Sequence, residues 1–207
     1  MSATVRSLDA SSRHWALAAA GACLLPLLLQ LPAALALGIA VVAAAVAALS
    51  WRRALPAWLR LLLVLGLAGA VLAASRFGFG RDTACAMLAA MLAIKPAETF
   101  GLRDARSLVG FALFAPFATF LLDQGPVALG LGLAGATLAL AALLRLAELE
   151  SGTDAQADAP AIPSPLRRMG MVWRLVAIGL PLALATFWLF PRLAAPLWGV
   201  PERAMAR

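Results

Sequence analysis

One histidine, two cysteines, no tyrosine and ten carboxylates are a thin inventory for catalysis in 207 residues. Cys23 and Cys85 each lie inside an apolar run, and no CxxC pair exists. With His14 as the sole imidazole, no zinc ligand set can be assembled. A thiol in apolar surroundings is also a poor nucleophile, because burial disfavours the thiolate. The two cysteines read as small buried hydrophobes; a Cys23–Cys85 disulfide would need two helices in contact, and nothing in the sequence demands it. No paired-carboxylate site is present. Gly130, Gly132 and Gly135 do not form a phosphate loop, since no strand precedes them and their flanks are uniformly apolar. No acidic residue falls in the middle of a long apolar run, which argues against an ion pump or transporter. Gln30 and Thr137 are the nearest polar candidates, and both are expected to bond to backbone. No cofactor is implied.

What the sequence has in excess is grease. Hydrophobic residues make up 63% of the chain and the mean hydropathy is +0.92. A soluble domain is roughly 45–50% apolar, and a globule of this size could not hide the surplus. A bilayer can. Seventeen basic residues against ten acidic give a net charge of +7. The basic residues stand singly or in pairs at the ends of apolar runs. That placement is the positive-inside signature of membrane proteins rather than a nucleic-acid footprint.

Residues 15–51 contain no charge at all. As one helix these 37 residues would reach about 55 Å, against a hydrocarbon core of about 30 Å. The run must therefore fold back, and Gln30-Leu31-Pro32 is its polar, helix-breaking point. The predicted spans are 15–31, 33–50, 56–74, a short fourth at 83–94, then 106–122, 127–146 and 169–190. Ala34-Leu35-Ala36 resembles a signal-peptidase site, but the apolar run continues well past it, so the first span reads as a retained anchor. Gly132 and Ala136 form a small-xxx-small pair for close helix packing. Pro181 is expected to kink the last span. Trp15, Trp51, Trp58 and Trp173 fall at one set of predicted boundaries and Trp188 and Trp198 at the other, as headgroup-level tryptophans do.

The fold class is thus all-α, a polytopic integral membrane helix bundle of about seven spans with the fourth short. A cytoplasmic tail covers 1–14, a six-helix bundle 15–147, an acidic, proline-bearing cytoplasmic linker 148–168, the seventh helix 169–190, and an extracytoplasmic tail 191–207. With the N-terminus inside and every segment crossing, twelve of the seventeen basic residues fall on the cytoplasmic side. If 83–94 did not cross, the bias would invert beyond it, so that segment is read as a span.

Arg81, Asp82, Lys95, Glu98, Arg103 and Asp104 bracket this short fourth helix. They read first as helix-end anchors and ion pairs, with Lys95 and Glu98 at pairing distance if helix continues through Pro96. The competing reading is a substrate or partner site.

Gly80-Arg81-Asp82-Thr83-Ala84-Cys85-Ala86-Met87-Leu88, running on through Met91-Leu92-Ala93-Ile94-Lys95-Pro96-Ala97-Glu98 to Leu102-Arg103-Asp104, resembles a stretch of the TgpA-type membrane-anchored transglutaminase-like proteins. The ending Leu189-Phe190-Pro191-Arg192-Leu193, with Pro196-Leu197-Trp198-Gly199, is similar to that family's exit motif. Pro96 is a departure, since the family has no proline there. The resemblance covers the family's N-terminal transmembrane domain. It implies a bacterial inner membrane, a C-terminus outside, and a Cys-His-Asp transglutaminase-like domain in the parent protein, none of whose triad positions exists here; the chain is then expected to be a fragment or a truncated homologue. A MoxR-type ATPase is an implied associate. A small transporter or permease subunit is the alternative, as is a bilayer-embedded partner site at the polar set.

Overall fold

A computed structural model describes residues 9–52, 55–99, 101–151 and 165–189. These residues are all-helical. They form α1 (Ala10–Leu28), α2 (Ala33–Arg52), α3 (Ala57–Ala74), α4 (Arg81–Ile94) continued by a 3₁₀ turn (Lys95–Glu98), α5 (Leu102–Ala112), α6 (Phe114–Leu122), α7 (Pro126–Ser151) and α8 (Pro165–Leu189). Residues 152–164 of the predicted linker 148–168, and the exit motif at Phe190, Pro191, Arg192, Pro196, Leu197, Trp198 and Gly199, lie outside the described residues.

Helix ends follow local chemistry. The Asp9 carboxylate accepts from the Ser12 N–H at 3.3 Å and caps α1. This side chain starts the helix five residues before Trp15, the boundary that hydropathy alone predicts. The chain turns at Leu29–Pro32, where the first span was expected to fold back. The predicted fifth span is two helices joined at Leu113. Pro116 explains the break: it lacks an N–H, and its ring crowds the carbonyl of Ala112 four residues earlier. The start of this span moves back to Leu102 because the Asp104 carboxylate accepts from the Gly101 N–H at 2.9 Å, one half of a capping box. Helix α5 is amphipathic, burying Ala105, Leu108, Val109 and Ala112 while Arg103 stays exposed. Both α7 and α8 run further toward the acidic linker than hydropathy suggested, to Ser151 and from Pro165. α8 continues through Pro181.

The end of α3 carries an unusual feature. Phe77 N–H bonds to the Leu72 carbonyl at 2.8 Å and Arg76 N–H to the Ala73 carbonyl at 3.1 Å, the two bonds of a Schellman ending. That ending needs a left-handed residue, usually glycine. Here Arg76 (φ 51°) and Phe77 (φ 58°) take it, while Gly78 does not. A non-glycine residue there costs about 1–2 kcal/mol, offset by glycine's own entropy of roughly 0.5–1 kcal/mol. Arg76→Gly is therefore expected to stabilise the protein by about 0.5–1 kcal/mol, read as a higher melting midpoint in detergent; an unchanged or lower midpoint counts against strain at this turn.

The core of the α1–α7 bundle is built mainly from small residues. Ala16, Ala19, Cys23, Ala89, Ala105, Ala112, Ala115, Ala139 and Ala142 are all fully buried, with Leu27, Leu92, Leu108 and Leu146 between them. Small side chains let helix backbones approach closely. α7 approaches α1 closely, and a Cβ on Gly135 would stand 2.9 Å from the Ala22 carbonyl oxygen. Gly132, the residue singled out from the sequence, instead faces the tip of the Phe120 ring on α6. α4 lies inside, touching α1, α2, α3, α5 and α6. α4 has fourteen residues and is walled by protein on most sides. Cys23 and Cys85 are both buried and unlinked; the Cys85 thiol donates to the Ala118 carbonyl at 3.6 Å.

Large apolar side chains point outward elsewhere: Leu37 and Val41 on α2, Leu61, Leu62 and Leu65 on α3, Leu129 and Leu133 on α7. On α8, described by itself, Leu175, Ile178, Leu182 and Trp188 are exposed. Among the described residues five segments are long and apolar enough to cross a membrane: Ala33–Trp51, Ala57–Ala74, Leu102–Leu122, Pro126–Glu150 and Met169–Thr186. α1 and α4 are not among them, so five spans rather than seven stand on length and composition alone.

Candidate functional sites at the two ends of the bundle

The predicted polar set brackets the fourth helix, which holds it apart at its two ends. Arg81 and Asp82 open α4, whereas Lys95 and Glu98 lie in the 3₁₀ turn beyond its far end. Fourteen helical residues put about 21 Å between them. Two sites result, one at each end of the bundle.

The end holding the start of α1 is ionic. Glu98 accepts from Lys95 Nζ at 3.0 Å and pairs with Arg60 of α3 at 3.6 Å. The 3₁₀ turn around Pro96 makes the first pair, because residues three apart eclipse in that geometry. Arg106 pairs with Glu150, tying α5 to α7. Arg145 reaches Asp9 at 3.9 Å and donates to Ser11 and Ser12, tying α7 to α1. Arg13 donates to the Ser50 and Trp51 carbonyls at the end of α2 and lies 5.0 Å from the Trp51 ring centre, against which His14 also packs at 4.4 Å. A cation at a helix C-terminus complements the helix dipole. These contacts staple helix ends together, and each is partly exposed, so individually they are worth little, roughly 0–1 kcal/mol. Arg103 is exposed and Asp104 is spent on its cap.

The opposite end, where the helices turn, holds a cleft of about 1060 Å³. Its walls come from the α1–α2 turn, α2, the end of α3, the start of α4 and the end of α6. Gln30 departs from expectation: its amide donates to Asp123 at 3.2 Å, joining two turns, rather than to backbone. Thr137 does bond to backbone, donating to the Leu133 carbonyl at 2.7 Å. Thr83 donates to the Gly78 carbonyl at 2.7 Å and fixes the loop before α4. Arg81 and Asp82 touch at 3.5 Å and are largely exposed. Phe77 and Phe79 project from this loop. The sequence marked Arg81 and Asp82, but the Gln30–Asp123 pairing, 93 residues apart, has no local signal. Among the described residues the buried polar side chains are Ser12, Ser50, Thr83, Thr99 and Thr119, and no group of three His, Cys, Asp or Glu could hold a metal.

An apolar outer surface, a small-residue interior and ion pairs gathered at one end define a helical bundle suited to an apolar surrounding. The chain matches the TgpA N-terminal domain over residues 15–207 and belongs to that family. It is also 36% identical over 146 residues to a protein-glutamine gamma-glutamyltransferase of Pseudomonas aeruginosa, an alignment covering 70% of this chain and 20% of that protein. The chain thus spans about a fifth of the curated relative it matches. No solved structure matches it.

Proposed function

We propose that this chain is the membrane-anchoring domain of a bacterial inner-membrane transglutaminase-like protein, with its N-terminus in the cytoplasm and its C-terminus outside. The observation that carries the reading is the family match across nearly the whole chain, together with the relative's activity as a protein-glutamine gamma-glutamyltransferase. Charge placement supports the orientation. Arg13, Arg60, Lys95, Arg106 and Arg145 share one end of the bundle, and positive charge favours the cytoplasmic side. In this reading α1 and α4 also cross, shielded by their neighbours, giving seven spans. The extracytoplasmic tail leads to a Cys-His-Asp domain in the parent protein, and a MoxR-type ATPase would meet the cytoplasmic end. The transporter alternative is weakened by an interior of alanine, leucine and valine whose buried hydroxyls sit near helix ends or bond to backbone.

Alkaline phosphatase fused after Arg207 is expected to be active, and a cytoplasmic fluorescent reporter at the same point dark. The opposite pattern refutes both the orientation and an exported catalytic domain.

A further inference from the structure

We propose that the cleft at the turn end of the bundle binds one zwitterionic phospholipid, its head at Arg81 and Asp82 and an acyl chain against Leu35 and Ala74. The inference rests on the bundle lying in a membrane, but not on which way it faces. The cleft's volume, about 1060 Å³, lies at the upper end of ligand sites. Leu35 belongs to α2, Val71 and Ala74 to α3, and Ala86 to α4. α2 and α3 each pack on α4 but scarcely on one another. A trough therefore lies between them over α4, apolar at Leu35 and Ala74 and polar at its rim, with Val71 and Ala86 buried beneath it. The outward faces of both helices are apolar (Leu37, Val41, Leu62, Leu65), so lipid tails are the solvent around the trough.

The rim selects the head. Ser75 and Thr83 are committed to the Leu72 and Gly78 carbonyls, and Gln30 to Asp123. Arg81 and Asp82 contact each other only through Nε at 3.5 Å, with side chains 63% and 82% exposed. The remaining guanidinium donors suit a phosphate, bidentate and charge-assisted. The adjacent carboxylate suits an ammonium. A positive and a negative group side by side match a phosphoethanolamine head better than a purely anionic one.

The intact chain is purified in mild detergent and stripped of lipid by extended washing. Its melting midpoint is then followed on adding phosphatidylethanolamine, phosphatidylglycerol or free phosphoethanolamine, with retained lipid counted by native mass spectrometry. Phosphatidylethanolamine is expected to raise the midpoint, and free phosphoethanolamine to leave it unchanged. Ala74→Trp, made at an exposed position on the trough wall, is expected to abolish retention without lowering the lipid-free midpoint. Arg81→Gln is expected to weaken binding about fivefold, the loss of a partly solvated charge-assisted contact. Equal retention by wild type and Ala74→Trp, an equal response to phosphatidylglycerol, or a response to the free head group would each overturn the proposal. A reversed reporter result would sink the orientation while leaving this lipid test intact.

Discussion

Gly135→Leu is expected to abolish the folded protein, seen as loss of monodisperse material in detergent. The cause is local. A Cβ at this position stands 2.9 Å from the Ala22 carbonyl oxygen and 3.1 Å from the Cys23 Cα, both backbone atoms of α1. No rotamer change relieves a clash with backbone, so α1 and α7 must separate. These two helices share the largest helix–helix contact in the bundle. Even Gly135→Ala is expected to cost about 1–3 kcal/mol, the usual range for overpacking. Two neighbours calibrate the result. Gly132→Ala meets only the tip of the Phe120 ring at 3.0 Å, and a side chain can swing aside. Gly130→Ala meets nothing within 4 Å and is expected to be neutral or stabilising by up to about 1 kcal/mol, alanine being the better helix former. If all three alanine variants melt alike, the α1–α7 approach is not as close as described.

Leu65→Arg is the second large effect, and its sign separates two environments. Leu65 lies at the middle of α3 with 60% of its surface exposed. In water, an exposed leucine replaced by arginine is close to neutral and often aids solubility. At the centre of a bilayer-spanning helix the same change costs about 3 kcal/mol on the insertion scale, on the order of a hundredfold in partition. A glycosylation-mapped insertion assay of α3 with its flanks is expected to show that loss. Leu65→Val, which keeps the position apolar, serves as the control and is expected to insert as wild type. Arginine inserting as well as leucine would place this face in water.

Much of this molecule could be read from the chain because apolar runs of helical length are a local property. The turn at Gln30–Pro32, the helix over Ala57–Ala74 and the short helix before Lys95 all follow from where charge, proline and glycine interrupt the grease. Boundaries were less legible wherever a single side chain sets them. Asp9 and Asp104 start α1 and α5 earlier than hydropathy alone indicates, and Pro116 divides one apolar run into two helices. The Lys95–Glu98 pair was visible from its spacing; its third member, Arg60, was not, since it arrives from another helix.

By itself the sequence determined the helical class, the apolar surface and the family, because composition and contiguous motifs carry them. The tertiary structure alone decided that α4 is an interior helix, that Gly135 rather than Gly132 meets the backbone of α1, and that Arg60 joins the charges at the far end of α4. It also decided that Gln30 meets Asp123 beside a cleft. Those are facts about which helix lies against which, and hydropathy, being nearly uniform around each of these helices, holds no record of their neighbours.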